Sequence, residues 1–147
     1  MAEIDASLIG QWGPETRMVV ELGKIREFAR ALQDDLGDYA GEQPVAPPTF
    51  LMTIAHWLGD LGSTRRGVRL DPRRLLHGEQ EFEYLRPIRA GDRLTFRSRT
   101  KDVYEKQGRR GGSMVFVVSE TEFRDGEGAV VAYLRNVSIE TQESPSP

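Results

Sequence analysis

The spacing of hydrophobic residues changes period near the middle of the chain. Residues 16–22 (TRMVVEL) read as a first strand, after about 15 residues of turn or short helix. In GKIREFARALQDDLG, Ile25, Phe28, Ala29 and Leu32 recur at helical spacing, which predicts an amphipathic helix with Gly37 as its stop. Residues 38–50 (DYAGEQPVAPPTF) have the composition of a loop. PTFLMTIAHWLGDLG then carries Phe50, Leu51, Ile54, Ala55, Trp57, Leu58 and Leu61 on nearly every face, predicting a central buried helix over residues 48–60. Pro48 fits its first turn, because the missing N–H would have no intrahelical partner there.

The second half has the period of strands. EQEFEYLRPI alternates Phe82 and Tyr84 with Glu81 and Glu83, and DRLTFRSRTKDVY sets Leu94 and Phe96 against Thr95 and Arg97. SMVFVVSETEF has a continuous apolar centre, as expected of a strand buried on both faces, and AVVAYLRNVSIE completes the set. Pro87 with Gly91-Asp92, KQGRRGGS and DGEG supply the turns. Strands in succession with short connections predict an antiparallel meander. The fold class is therefore α+β, a long antiparallel sheet wrapped around a central apolar helix, which is the hot-dog arrangement. It is expected to occupy residues 1–140, with residues 141–147 a disordered tail.

Composition narrows the function. A length of 147 residues with 38% hydrophobic and 29% charged residues describes a single soluble globular domain. Its 20 basic and 23 acidic side chains leave a net charge of -3, which argues against a nucleic-acid binder; the pairs Arg65-Arg66, Arg73-Arg74 and Arg109-Arg110 read as solvated surface. The absence of cysteine removes disulfides, a thiolate nucleophile and cysteine metal ligands. No apolar run approaches the roughly 20 residues that span a bilayer. MAEIDASLIGQW has no basic segment followed by an apolar one, so no membrane association and a cytoplasmic location are expected. No cofactor is expected either: DGEG reads as a hairpin turn, and GGSMV opens a strand where a nucleophile elbow would open a helix. His56 and His77 stand apart, so no metal site is expected, and His56 in mid-helix reads as a packed core histidine.

APPTFL, LHGEQEFEYLRPIRAGDRL and VYEKQGRRGGSMVFVVSETEFRDGEG together resemble the N-terminal MaoC-like dehydratase domain, over residues 10–139. Similar domains form the substrate-binding subunit of mycobacterial hydroxyacyl-ACP dehydratases and the first half of peroxisomal double hot-dog hydratases. A His-Gly-Glu-Gln segment recurs in that half, matching His77, Gly78, Glu79 and Gln80. The resemblance implies reversible hydration of a trans-2-enoyl thioester to a (3R)-hydroxyacyl thioester. That chemistry needs a base for the α-proton, an acid for the 3-hydroxyl and a polarised thioester carbonyl. The catalytic half of the family supplies an Asp and, shortly after it, a His. Here the stretch from Leu36 to Phe50 holds Asp38 and Glu42 but no histidine, and no Asp precedes His56 at the required spacing. The dyad is missing, which favours a role as the non-catalytic partner; the expected assembly is a homodimer or a heterodimer with a catalytic MaoC-like hot-dog subunit.

Within that resemblance His77 and Glu79 border a composite active site, or else open a strand, with His77 capping it and Glu79 in solvent. Gln80 packs at the same junction. Pro48 and Thr49 open a helix whose N–H groups face the thioester, or Thr49 merely caps it. Phe50, Met52 and Trp57 line an acyl tunnel or belong to the core. Lys106, Arg109 and Arg110 meet the phosphates of CoA or the acidic surface of an acyl carrier protein, or lie in solvent. Two other readings stay open: a homodimeric acyl-CoA thioesterase, for which Asp60 is the acid on offer, and a non-enzymatic module binding acyl thioesters.

Overall fold

A computed structural model of the chain describes residues 2–58, 64–108 and 112–142. Its elements in chain order are β1 (Glu3–Ile4), β2 (Thr16–Val19), α1 (Leu22–Ala31), α2 (Ala55–Leu58), β3 (Val68–Arg69), β4 (Leu75–Tyr84), β5 (Arg93–Gln107), β6 (Ser113–Arg124) and β7 (Val130–Thr141). β1 and β3 form a small sheet, and the others an antiparallel sheet in the order β2-β5-β6-β7-β4. This is the hot-dog fold. The hairpins joining β5, β6 and β7 follow the turn signals, but β4 departs from the expected meander. It pairs with β7 at the far edge, from Leu75 opposite Glu140 to Tyr84 opposite Ala132. β5 is already flanked by β2 and by the segment before it, where Gly10 and Gly13 donate to the carbonyls of Thr100 and Ser98 at 2.7 and 2.8 Å. The Pro87–Asp92 turn is thus a crossover, pinned by an Arg86–Asp92 ion pair of 2.7 Å.

The helical segments differ from expectation in ways the backbone explains. α1 stops at Ala31, and Gln33, at φ 58°, takes the left-handed position expected at Gly37. Gly37 lies instead in a 3-10 turn, Leu36–Tyr39. The central segment is a 3-10 turn, Phe50–Ile54, continued by the single turn of α2; residues 59–63, which include Asp60 and Leu61, lie outside the described residues. Thr49 precedes it without a side-chain capping bond. A 3-10 turn stacks residues three apart. Phe50, Leu51, Thr53 and Ile54 are accordingly buried, while Met52 is 43% exposed and His56 is on the surface, not in the core as expected. The His56 ring stands edge-on to Trp57 at 6.4 Å. At the other end, Thr141 belongs to β7 and Gln142 accepts from the Ser113 amide at 2.9 Å, so both join the fold and not the expected tail. Residues 143–147 lie outside the described residues.

The two faces of the sheet are unlike. The inner face carries a main core, in which Met18, Ile25, Phe50, Phe96, Phe123 and Leu134 meet, and a smaller core of Val68, Leu70, Val115 and Val117 under β3. On the outer face a row of ion pairs crosses the strands. Glu120 of β6 meets Arg99 of β5 at 2.6 Å and Arg135 of β7 at 2.7 Å, and Glu122 meets Arg97 at 2.7 Å and Arg124 at 2.9 Å. Arg135 continues to Glu81 and to Glu83 of β4. The Trp12 ring lies against the guanidinium groups of Arg97 and Arg99, at 4.7 and 4.3 Å. β6 is therefore buried on both faces, as its sequence suggested, but its outer burial at Glu120 and Glu122 is beneath arginines. Burial alone would raise the pKa of Glu120; hydrogen bonds from Arg135 and Arg99, with the charges of Lys101 and Arg99, outweigh it and hold the carboxyl below its usual range.

A folded-state pKa below the unfolded value contributes stability that is present above the unfolded pKa, near 4.3 for Glu, and is lost as pH falls through the folded one. Glu120→Gln should cost about 2–3 kcal/mol at pH 7, by leaving partly buried arginines short of a counter-charge. Wild type and variant should converge in melting temperature as pH falls below about 4. Melting curves over pH check this; a gap that stays constant with pH contradicts it.

Candidate functional site

β-strand alternation turns the inner face of the sheet polar between its two cores. Gln80 of β4 lies opposite Asn136 of β7, Asn136 opposite Ser119 of β6, and Ser119 opposite Thr100 of β5. Cross-strand partners share a face, so these four residues form one rung across the strands. Ser98 and Thr121 widen the band, their hydroxyls 2.7 Å apart. Arg65 and Arg66 lie over it: Arg65 Nη1 donates to Ser138 Oγ at 3.3 Å, and the Arg66 carbonyl accepts from Thr100 Oγ1 at 2.7 Å. Burial lowers the pKa of the Arg65 guanidinium.

Above the band is a cavity of 480 Å³. Its walls are apolar (Met52, Ile54, Ala55, Leu58 and Leu134), and Gln80, Ser119, Thr121 and Asn136 form its polar floor, with Thr64 and Arg65 at one side. Leu58 and Arg65 also line a second cavity of 270 Å³ toward β2, over Ser98 and Phe96. Among the described residues Gln80 Oε1 and Ser119 Oγ are buried without a hydrogen-bond partner, although Gln80 Nε2 donates to the Arg135 carbonyl at 2.9 Å. Among the described residues the lining supplies hydroxyls, amides and a guanidinium, with no carboxylate and no imidazole. It can hold a polar ligand against an apolar wall; among the described residues it offers no acid–base pair.

The candidates from the sequence scatter around this cavity. Gln80 is in it. His77 and Glu79 lie within β4, not before it, and a bulge between them changes their relation. His77 is opposite Ser138, on the inner face, and Glu79 is opposite Val137, on the outer face, so the two are not a pair. Both are exposed. Phe50 is fully buried in the main core, edge-on to Phe28 at 5.7 Å, and Trp57 packs against the same core. Met52 lines the cavity. Pro48 lines a separate apolar groove with Val45 and Leu85, and its carbonyl accepts from Tyr84 Oη at 2.6 Å. Burial pushes the Tyr84 phenol up to about 12, which keeps it a donor there. Lys106 lies over the stacked rings of Tyr104 and Phe116, at 5.1 and 4.9 Å, on the face opposite the cavity. Arg109 and Arg110 lie outside the described residues. Sequence reading missed Ser119, Thr121, Asn136 and Arg65. The signal for two of them was present: Val115, Val117, Ser119, Thr121 and Phe123 alternate on one face of a strand read only as apolar.

Among the described residues no group of three or more His, Cys, Asp or Glu side chains is placed to hold a metal ion, and no helix is long and apolar enough to cross a membrane. Residues 7–134 match the family described as FAS1-like, dehydratase domain region. The chain is 32% identical over 152 residues to the UPF0336 protein of Streptomyces coelicolor, covering 96% of this chain and 99% of that one. Among solved structures, it superposes with a TM-score of 0.70 on a subunit of the HadBC (3R-hydroxyacyl-ACP dehydratase) complex from Mycobacterium tuberculosis, at 24% identity, covering 93% of this chain and 98% of that chain. A MaoC-like dehydratase gives a TM-score of 0.71 at 25% identity, covering 91% of this chain and 42% of that longer one.

The bulge that separates His77 from Glu79 depends on Gly78. A Cβ there would stand 2.9 Å from Ile139 Cδ1 and 3.1 Å from the Val137 carbonyl oxygen. Gly78→Ala should therefore destabilise the fold by about 1–3 kcal/mol, as overpacking does. Adding Ile139→Val, which removes Cδ1, should recover part of the loss. Denaturant unfolding of the single and double variants decides it; a Gly78→Ala protein as stable as wild type would mean the strands are not held this close.

Proposed function

The chain belongs to the FAS1-like dehydratase-domain-region family and is a MaoC-like hot-dog domain, and from that premise we propose that it is the substrate-binding half of a (3R)-hydroxyacyl-thioester dehydratase or trans-2-enoyl-thioester hydratase. One observation carries the reading: the 480 Å³ cavity has the polar and apolar lining to bind an acyl thioester, and among the described residues that line it there is no carboxylate or imidazole to move the α-proton or protonate the 3-hydroxyl. The stretch between α1 and Phe50 is without histidine, which agrees with it. A second hot-dog subunit supplies the base and acid. β4 pairs with β7 on one side and forms an edge of the sheet, so a partner strand aligned along it would stand beside Gln80.

In this reading Gln80 positions the bound acyl thioester, with Met52 and Trp57 on the side of the central segment. Pro48, Thr49 and Phe50 act through the placement of that segment, Pro48 being held by Tyr84. His77, on the cavity side of β4, meets the partner's catalytic loop; Glu79 faces away. Lys106, Arg109 and Arg110 serve for contact with the carrier, acyl carrier protein or CoA. A non-enzymatic acyl-binding module has the same cavity but needs no partner.

The purified chain alone should leave the absorbance of crotonyl-CoA unchanged, while mixing it with a hot-dog subunit that carries the Asp/His dyad should hydrate it. Hydration by the chain alone would sink the reading, and no gain on mixing would favour the binding module. In the reconstituted pair, His77→Asn should lower turnover by about tenfold to a hundredfold through a misplaced catalytic loop, with little change in melting temperature. Glu79→Gln should keep wild-type turnover. Equal losses in the two variants would contradict the assignment of His77 and Glu79 to opposite faces.

A further inference from the structure

The outer face of the sheet changes character along the strands. Past the ion pairs, toward the β5–β6 hairpin, Tyr104, Phe116, Ile139 and Leu76 stand opposite one another as one rung across β5, β6, β7 and β4. The next rung toward the ion pairs is Asp102, Val118, Val137 and Glu79. The rung on the hairpin side is Lys106, Met114 and Thr141. Cross-strand partners share a face, so the apolar members form one block with charged residues at its margins. The described helical segments and β3 pack into the cores on the other face, where Val115 and Val117 are buried. Phe116, Val118, Val137 and Ile139 are only partly covered, and Leu76 is 40% exposed. An open apolar block with a charged margin marks a contact surface.

We propose that this block is the interface with a second copy of the chain, the two sheets packed outer face to outer face about a two-fold axis. Charge selects the axis. An axis along the strands exchanges β5 with β4 and sets Asp102 of one copy against Glu79 of the other, two like charges. An axis along the Tyr104–Leu76 rung exchanges the rungs on either side of it. Lys106 of each copy then faces the partner's Asp102, Met114 faces Val118, and Phe116 and Ile139 meet their own counterparts. Asp102 and Lys106 are exposed and, among the described residues, neither is in an ion pair. Four residues apart on one strand, at roughly 13 Å, they cannot pair within a chain. The three rungs cover roughly 400 Å² on each copy, from the spacing of strands and residues. That is smaller than a standard interface, so the pairing is weak. It leaves the β4 edge free and is independent of the proposed function.

The test is sedimentation equilibrium of the full chain from about 1 µM to about 1 mM, the range in which a weak interface forms. A doubling of mass is expected within it. Its midpoint should rise about tenfold or more in Lys106→Asp and in Asp102→Lys, because like charges then face each other twice in each pair. The double variant, with the two charges exchanged, should restore the wild-type midpoint. Leu76→Lys, at the exposed end of the middle rung, should weaken the same step. All three positions are exposed, and melting curves should show every variant as folded as wild type. The carrier contact proposed for Lys106 predicts no effect of Asp102→Lys on self-association, so that variant separates the two uses of the side chain. No doubling up to about 1 mM, or a step that none of these substitutions shifts, overturns the inference. Doubling that appears only after residues 143–147 are removed would make that segment the cover of the block, and overturns it as well.

Discussion

Arg135 holds the two faces of this sheet in register with each other. On the outer face its guanidinium joins Glu120 of β6 to Glu81 and Glu83 of β4, drawing three strands together. Its backbone carbonyl accepts from the Gln80 amide nitrogen, which fixes the side chain of a residue that lines the cavity on the inner face. Glu120 is 4% exposed, and a carboxylate so buried is tolerated only because Arg99, Lys101 and Arg135 surround it.

The inner face is organised as two hydrophobic cores with a polar band between them, and the division explains the shape of the site. The main core seats α1 and the Phe50–Ile54 turn, while the smaller core seats β3, so neither covers the band. The central segment leaves Met52, Ala55 and Leu58 over it as an apolar wall. A ligand in the cavity is thus held between hydrocarbon on one side and hydroxyl and amide groups on the other. Such a lining suits the binding of an acyl thioester, and the division of labour proposed for the two subunits rests on that chemistry.

Much of this architecture is legible in the residues. The alternation of Leu94 and Phe96 and the turn residues between the runs mark β5 to β7 nearly to their ends, while the alternation of Phe82 and Tyr84 marks only the second half of β4, which begins at Leu75. The place of β4 at the far edge is not legible, because it depends on pairing between residues far apart in the chain, while Pro87 and Gly91 look like any local turn. The central helix is misread because its apolar content suits an α-helix, whereas the turn entered through Pro47 and Pro48 is 3-10 and presents Met52 and His56 outward. Gln80 is found through a motif, yet its neighbours Ser119 and Asn136 are ordinary strand residues; only the register shows that they share its rung. His77 and Glu79 look like an adjacent pair until Gly78 makes a bulge of them.

The most direct test of the account is where an acyl thioester lands on the chain. Side-chain amide resonances of Gln80 and Asn136, followed by NMR during titration with a non-reactive octanoyl thioether of pantetheine, report on the cavity floor itself. The account predicts that both shift and saturate together with the Met52 methyl resonance, while the Lys106 and Tyr104 signals on the outer face stay still. Saturable shifts confined to the Val45–Leu85 groove or the outer face, with Gln80 and Asn136 unmoved, would contradict it.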